Sequence, residues 1–153
     1  MSVHSSIFWH NESDTEAFAK TLVASNDLSN AIVELRGDLG AGKTTLTRYL
    51  LQALGVTGRI KSPTYAIMET YSGNQSKYDL ERDSLPISHF DFYRFNDPAE
   101  WEEAGFRDIF TERGLKIVEW AEKAKPMLPD PDFVIAIEMQ ADNSRRVTVS
   151  TRT

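Results

Sequence analysis

Residues 37–45 read Gly37-Asp38-Leu39-Gly40-Ala41-Gly42-Lys43-Thr44-Thr45 and satisfy G-x-x-x-x-G-K-[ST] at every defining position. A loop of this type wraps a triphosphate in backbone N–H groups, which requires glycines because only they let the main chain come so close with positive φ. Asp38, Leu39, Gly40, Ala41, Gly42, Lys43, Thr44 and Thr45 are therefore the expected phosphate cradle. Lys43 is expected to reach the β and γ phosphates and the Thr44 hydroxyl to ligate Mg2+, with the helix that starts here adding its positive N-terminal end. Working outward, the mostly apolar run 31–35 predicts a short strand ending just before Gly37. Leu46, Leu50 and Leu54 recur at i, i+4, i+8, and Gly55 follows where a helix C-cap is expected. Strand, glycine-rich loop and helix form the context that a phosphate loop needs.

The 153 residues suit a single domain spanning 1–153 that buries a core without staples. There is no cysteine, hence no disulfide or zinc-thiolate site, which fits a reducing compartment. Residues 1–10 have neither a basic start nor a long apolar run, and no stretch has the apolar length to span a bilayer, so the cytoplasm is the expected location. The net charge of -6 argues against a direct grip on nucleic acid, whose binders carry a basic footprint.

Along the chain, Ser13 or Asp14 is expected to cap a helix to about residue 25, with Phe18, Leu22 and Val23 as its buried stripe, after an edge strand at 6–9. Residues 65–71 and 87–92 read as strands, and the polar stretch 72–86 between them as a long solvated hairpin loop. Asp97 followed by Pro98 opens a helical region that Gly105 divides in two. Residues 115–119 read as a buried strand, and 133–139 with 146–150 as a closing hairpin across Asp142-Asn143-Ser144. The pattern predicts a three-layer α/β domain with a mixed, mainly parallel central sheet and a C-terminal β-hairpin, the nucleotide lying at the C-terminal ends of the parallel strands.

A phosphate loop holds a nucleotide but needs carboxylates to position Mg2+ or the attacking water. Asp91, Glu119 and Glu138 each follow apolar strand residues. Glu138 sits within the alternating closing hairpin and reads as a solvated outer residue, which leaves Asp91 and Glu119. Thr64, in Ser62-Pro63-Thr64, falls where nucleotide hydrolases keep a mobile hydroxyl segment, although a plain turn reads equally well from spacing. His89 lies two residues before Asp91, hence on the same strand face, and reads mainly as a space-filling residue, with orientation of Asp91 as the alternative. Trp101 and Trp120 read as packing residues, Trp120 being a possible reporter of nucleotide binding beside Glu119.

The ordered set of the phosphate loop, Ser62-Pro63-Thr64-Tyr65, His89-Phe90-Asp91-Phe92-Tyr93-Arg94, and Val118-Glu119-Trp120 with Glu122 closely resembles the TsaE (YjeE) family of small bacterial ATPases. The match runs from about Asn11 to Pro129, interrupted by a 72–86 insertion longer than the family pattern. The resemblance implies a P-loop NTPase-like fold and an ATP- and Mg2+-dependent ATPase. It implies a supporting role, with TsaD and TsaB, in forming the threonylcarbamoyl group on adenosine 37 of tRNAs that read codons beginning with A. The tRNA is then met only through the complex. On this sequence the resemblance puts Lys43 on the phosphates, Thr44 on the metal, Thr64 as a switch-like contact, and Asp91 and Glu119 as the acidic metal or water-orienting residues, without saying which acid does which. A small-molecule P-loop kinase is the competing reading, and it would require an arginine-rich lid for which only Arg107 and Arg113 offer themselves. A GTPase would need an Asn-Lys-x-Asp block, which the chain lacks.

Overall fold

The computed structural model describes residues 2–152. Its seven strands are β1 (Ser2–Trp9), β2 (Ile32–Arg36), β3 (Met68–Asn74), β4 (Ser84–Asp91), β5 (Leu115–Glu119), β6 (Phe133–Met139) and β7 (Arg145–Thr151). They form one sheet in the order β1-β7-β6-β2-β5-β4-β3. The central neighbours β6, β2, β5 and β4 run parallel, while β3 pairs antiparallel on one flank and β7 and β1 on the other. Helices α1 (Glu12–Ser25) and α2 (Lys43–Ala53) cover one face, and the short helices α3 (Ala99–Glu103) and α4 (Phe106–Thr111) cover the other.

Strand alternation divides the apolar residues between these layers. On β5, Leu115 and Ile117 join the core under α1 and α2, while Val118 joins the opposite core. That second core is aromatic. Phe90 meets Phe92, Phe106 and Phe110 with centroids 5.6, 5.2 and 4.8 Å away, and Trp101 lies 5.7 Å from Phe110. All five residues of β5 are buried, as expected of a central parallel strand covered on both faces.

The helix ends follow the local chemistry with one adjustment. The cap of α1 is Asn11, whose side chain accepts from the Asp14 amide at 3.1 Å, in place of Ser13 or Asp14. Asn11 takes this role because it is the residue in extended conformation whose oxygen reaches the orphan N–H groups of the first turn. Helix α2 ends in a Schellman motif, with Gly55 at φ 85° and the amides of Gly55 and Val56 donating to Gln52 and Leu51. Gly105, at φ 77°, divides α3 from α4 as its position predicts.

The stretch 72–86 is not the open loop that its polarity suggests. Strands β3 and β4 extend into it and pair from Met68↔Phe90 to Asn74↔Ser84, leaving only residues 75–83 as the turn. A Cβ on Gly73 would lie 2.8 Å from the Leu54 carbonyl oxygen, so β3 presses directly on the end of α2. Asp79 pins the turn, its Oδ2 standing 3.2 Å from Arg113 Nε and 3.6 Å from Arg82 Nε. The start of β3 is correspondingly late: 64–66 form a turn, and the ladder begins at Met68.

Phe90 is fully buried among three rings, so Phe90→Ala should lower unfolding stability by about 3–5 kcal/mol. Urea denaturation checks this, and a loss under about 1 kcal/mol would show that the aromatic layer collapses around the cavity.

Candidate functional site

The sheet register brings the acidic residues to the phosphate loop. On neighbouring parallel strands Leu35 pairs with Glu119, and Glu119 with Asp91, so the loop leaving β2, the end of β5 and the end of β4 share one edge of the sheet. Ligands of open α/β sheets bind in this position, outside the carboxyl ends of the strands.

Two glycines shape the loop. Gly37, at φ 154°, passes so close to β6 that a Cβ there would lie 2.7 Å from the Ile137 carbonyl oxygen. Gly42, at φ 117°, is the N-cap of α2 and supplies no side-chain cap, which leaves the first amides of the helix for an anion. Lys43 is buried; its Nζ donates to the Gly37 carbonyl at 2.5 Å and sits 4.1 Å from the centre of the Trp120 ring. Thr44 is exposed at the helix start and Thr45 is half-buried, while Asp38, Leu39 and Gly40 are exposed along the loop and Ala41 is buried. The uncapped helix end, the close-packed glycine and the exposed Thr44 fit a magnesium-bound triphosphate. Among the described residues no three acidic or histidine side chains converge into a ready-made metal cage. Magnesium fits such a site, since it is ordinarily held by one or two protein groups plus the phosphates themselves.

The acidic residues are both buried and hold different partners. Asp91 accepts from the Tyr93 amide at 2.9 Å through Oδ1 and from the Thr64 hydroxyl at 3.3 Å through Oδ2. Thr64 also shares a 2.8 Å hydrogen bond with the Ser62 hydroxyl, so the 62–64 segment is tied to the end of β4. Glu119 accepts at Oε2 from His89 Nε2, 2.6 Å away. His89 therefore reaches diagonally across to Glu119 on the adjacent strand and not to Asp91 on its own, whose two carboxylate oxygens are taken by the Tyr93 amide and the Thr64 hydroxyl. Glu138 is exposed on β6, as its alternation predicts.

A model of the family described as "Threonylcarbamoyl adenosine biosynthesis protein TsaE" matches residues 9–147. The chain belongs to the TsaE family. It is 39% identical over 136 residues to the tRNA threonylcarbamoyladenosine biosynthesis protein TsaE of Haemophilus influenzae, covering 89% of this chain and 80% of that one. To the protein of the same name from Bacillus subtilis it is 36% identical over 138 residues, 90% of this chain and 80% of the other. The crystal structure of Bacillus subtilis YdiB superposes with a TM-score of 0.73 at 29% identity, covering 99% of this chain and 88% of that chain. The architecture is thus the P-loop NTPase-like fold expected from the resemblance.

In this TsaE-family chain the structure adds residues that sequence reasoning missed. Arg145, at the start of β7, donates from Nε to the Ala41 carbonyl at 3.1 Å and, with Trp9, Asn11, Glu12, Thr15 and Thr45, lines a cleft beside Gly42. No spacing rule links residue 145 to residue 42; the antiparallel pairing of β7 with β1 and β6 brings it there. Trp120 is also more than packing, since its ring lies on the Lys43 ammonium and 4.9 Å from that of Tyr93. By contrast, the arginines that a kinase lid would need are engaged elsewhere, Arg107 in a 2.7 Å ion pair with Glu102 and Arg113 with Asp79.

Gly37→Ala meets both a clash with β6 and an unfavourable φ, so it should destabilise the fold by about 1–3 kcal/mol and impair phosphate binding. Gly40→Ala, where nothing lies within 4 Å of a Cβ, bears only the φ cost, about 1–2 kcal/mol. Equal melting temperatures for the two variants would show that the contact with β6 is not tight.

Proposed function

We propose that this chain is a single-domain, Mg2+-dependent ATPase that supports formation of the threonylcarbamoyl group on adenosine 37 of tRNAs reading codons that begin with A. It acts with TsaD and TsaB by sustaining turnover of their complex. The observation that carries the reading is the union of an uncapped phosphate loop with Asp91 and Glu119 on three adjacent strand ends. The family membership supports the pathway, and the occupied Arg107 and Arg113 weigh against the kinase alternative.

Asp38 to Thr45 bind the phosphates, and Lys43 turns its ammonium from the Gly37 carbonyl toward them. Thr44 provides a hydroxyl to the metal. When bound, magnesium neutralises charge on the γ-phosphoryl oxygens. Glu119 has no partner for Oε1 among the described residues, so this oxygen would orient water or the metal shell, and Asp91 holds Thr64 at the edge of the site. Because Thr64 and Tyr65 lie on an exposed turn, a partner docking there would order the segment and raise an otherwise low rate. The cleft beside Gly42 and Thr45, with Arg145 on its wall, adjoins the loop and is the place we assign to the nucleoside. The net charge of -6 suits a subunit that reaches tRNA only through its partners, in the cytoplasm where that RNA is modified.

ATP hydrolysis by the purified chain, alone and with TsaD and TsaB, tests the proposal. Stimulation by the partners is expected. Lys43→Ala should lose nucleotide affinity, and Glu119→Ala or Asp91→Ala should fold yet lower hydrolysis by about 10². Full activity in both acid variants would remove those residues from the site, and a rate indifferent to the partners would remove the role in the complex.

A further inference from the structure

His89 and Glu119 are 2% and 4% exposed and stand on adjacent parallel strands, His89 being two positions earlier in the register. Their Nε2 and Oε2 are 2.6 Å apart. The other ring nitrogen, Nδ1, is buried without a partner among the described residues. The tautomer protonated on Nε2 explains both facts, since it donates to the carboxylate and leaves at Nδ1 only a lone pair rather than an unpaired N–H. His89 shares its face of β4 with Ile87, and its register neighbour on β5 is Ile117, both in the apolar core. An aliphatic side chain would fill the same space without burying an unpaired polar atom. What an imidazole adds there is the bond to Glu119.

We infer that His89 is a positioning residue, holding Oε2 of Glu119 so that Oε1 is the oxygen presented to the nucleotide. This rests on the ATPase reading above. A glutamate at a strand end has three side-chain torsions, and its carboxylate can orient water or a metal shell only when those are held. Among the described residues Oε1 has no hydrogen-bond partner, and Oε2 has His89 alone. The neighbouring acid is fixed differently, through the Tyr93 amide and Thr64, so loss of His89 leaves Asp91 in place.

The test compares wild type, His89→Leu, which fills the space without a donor, and His89→Gln, which keeps an N–H within reach of Glu119. Hydrolysis is measured in the presence of TsaD and TsaB, ADP affinity without magnesium by calorimetry, and stability by thermal melting. His89→Leu should lower kcat about 10- to 100-fold while leaving magnesium-free ADP affinity unchanged, and His89→Gln should recover most of the loss. Independently of activity, the 15N signal of His89 Nε2 in the nucleotide-free wild type should carry a bound proton and shift in Glu119→Ala. Wild-type kcat in a stable His89→Leu variant would overturn the inference. So would equal losses in Leu and Gln variants that follow their melting temperatures, or an Nε2 signal indifferent to Glu119. A wild-type chain that hydrolyses no ATP under any of these conditions removes the ATPase reading and this inference together, whereas an active wild type beside an equally active His89→Leu removes the inference alone.

Discussion

The parallel pairing of β2, β5 and β4 is the constraint on which the rest of the molecule depends. Its register sets Leu35, Glu119 and Asp91 at one level, so three chain segments far apart in sequence leave the sheet at the same edge. Parallel strands cannot be joined by a tight turn, and each connection must cross a face of the sheet. Those crossings supply α2 on one face and the aromatic layer with α3 and α4 on the other. The coverage that buries both faces of β5 is thus the same chain that carries the phosphate loop and delivers the carboxylates.

Within that frame the site is held by close approaches rather than by many polar bonds. Gly37 fits against the β6 carbonyl of Ile137 only because it lacks a side chain, and Arg145 braces the loop from β7 at Ala41. Trp120, in left-handed conformation at φ 57°, turns its ring onto Lys43 immediately after Glu119. The end of β5 is thereby mechanically connected to the loop. The 64–65 turn is tied to Asp91 through the Thr64 hydroxyl, beside the end of β5.

Much of this was legible in the chain because the decisive signals are local. The phosphate loop, the Schellman glycine at 55, the break at Gly105 and the buried strand at 115–119 each depend on neighbours within a few residues. Two misreadings have the opposite character. The polar stretch 72–86 reads as a loop because β3 is the edge strand and the start of β4 at 84–86 runs past the β5 ladder, places where polar residues are tolerated. Strand periodicity alone relates His89 only to Asp91 or to filling space, because its bonding partner lies 30 residues away, a separation that periodicity cannot bridge.

What the sequence determined by itself is the glycine-rich loop 37–45 with the pattern of a phosphate loop, the α/β alternation around it and the choice of Asp91 and Glu119 as candidate acids. These follow from residue types acting on their own backbone, through φ at glycine, period along a strand and capping at a helix end. Only the tertiary structure decided that Glu119 is held by His89, that Asp91 is tied to Thr64, that Trp120 covers Lys43 and that Arg145 stands beside the loop. Those contacts require strand order and register, which are set by burying two faces of one sheet at once and so belong to the whole chain rather than to any segment of it.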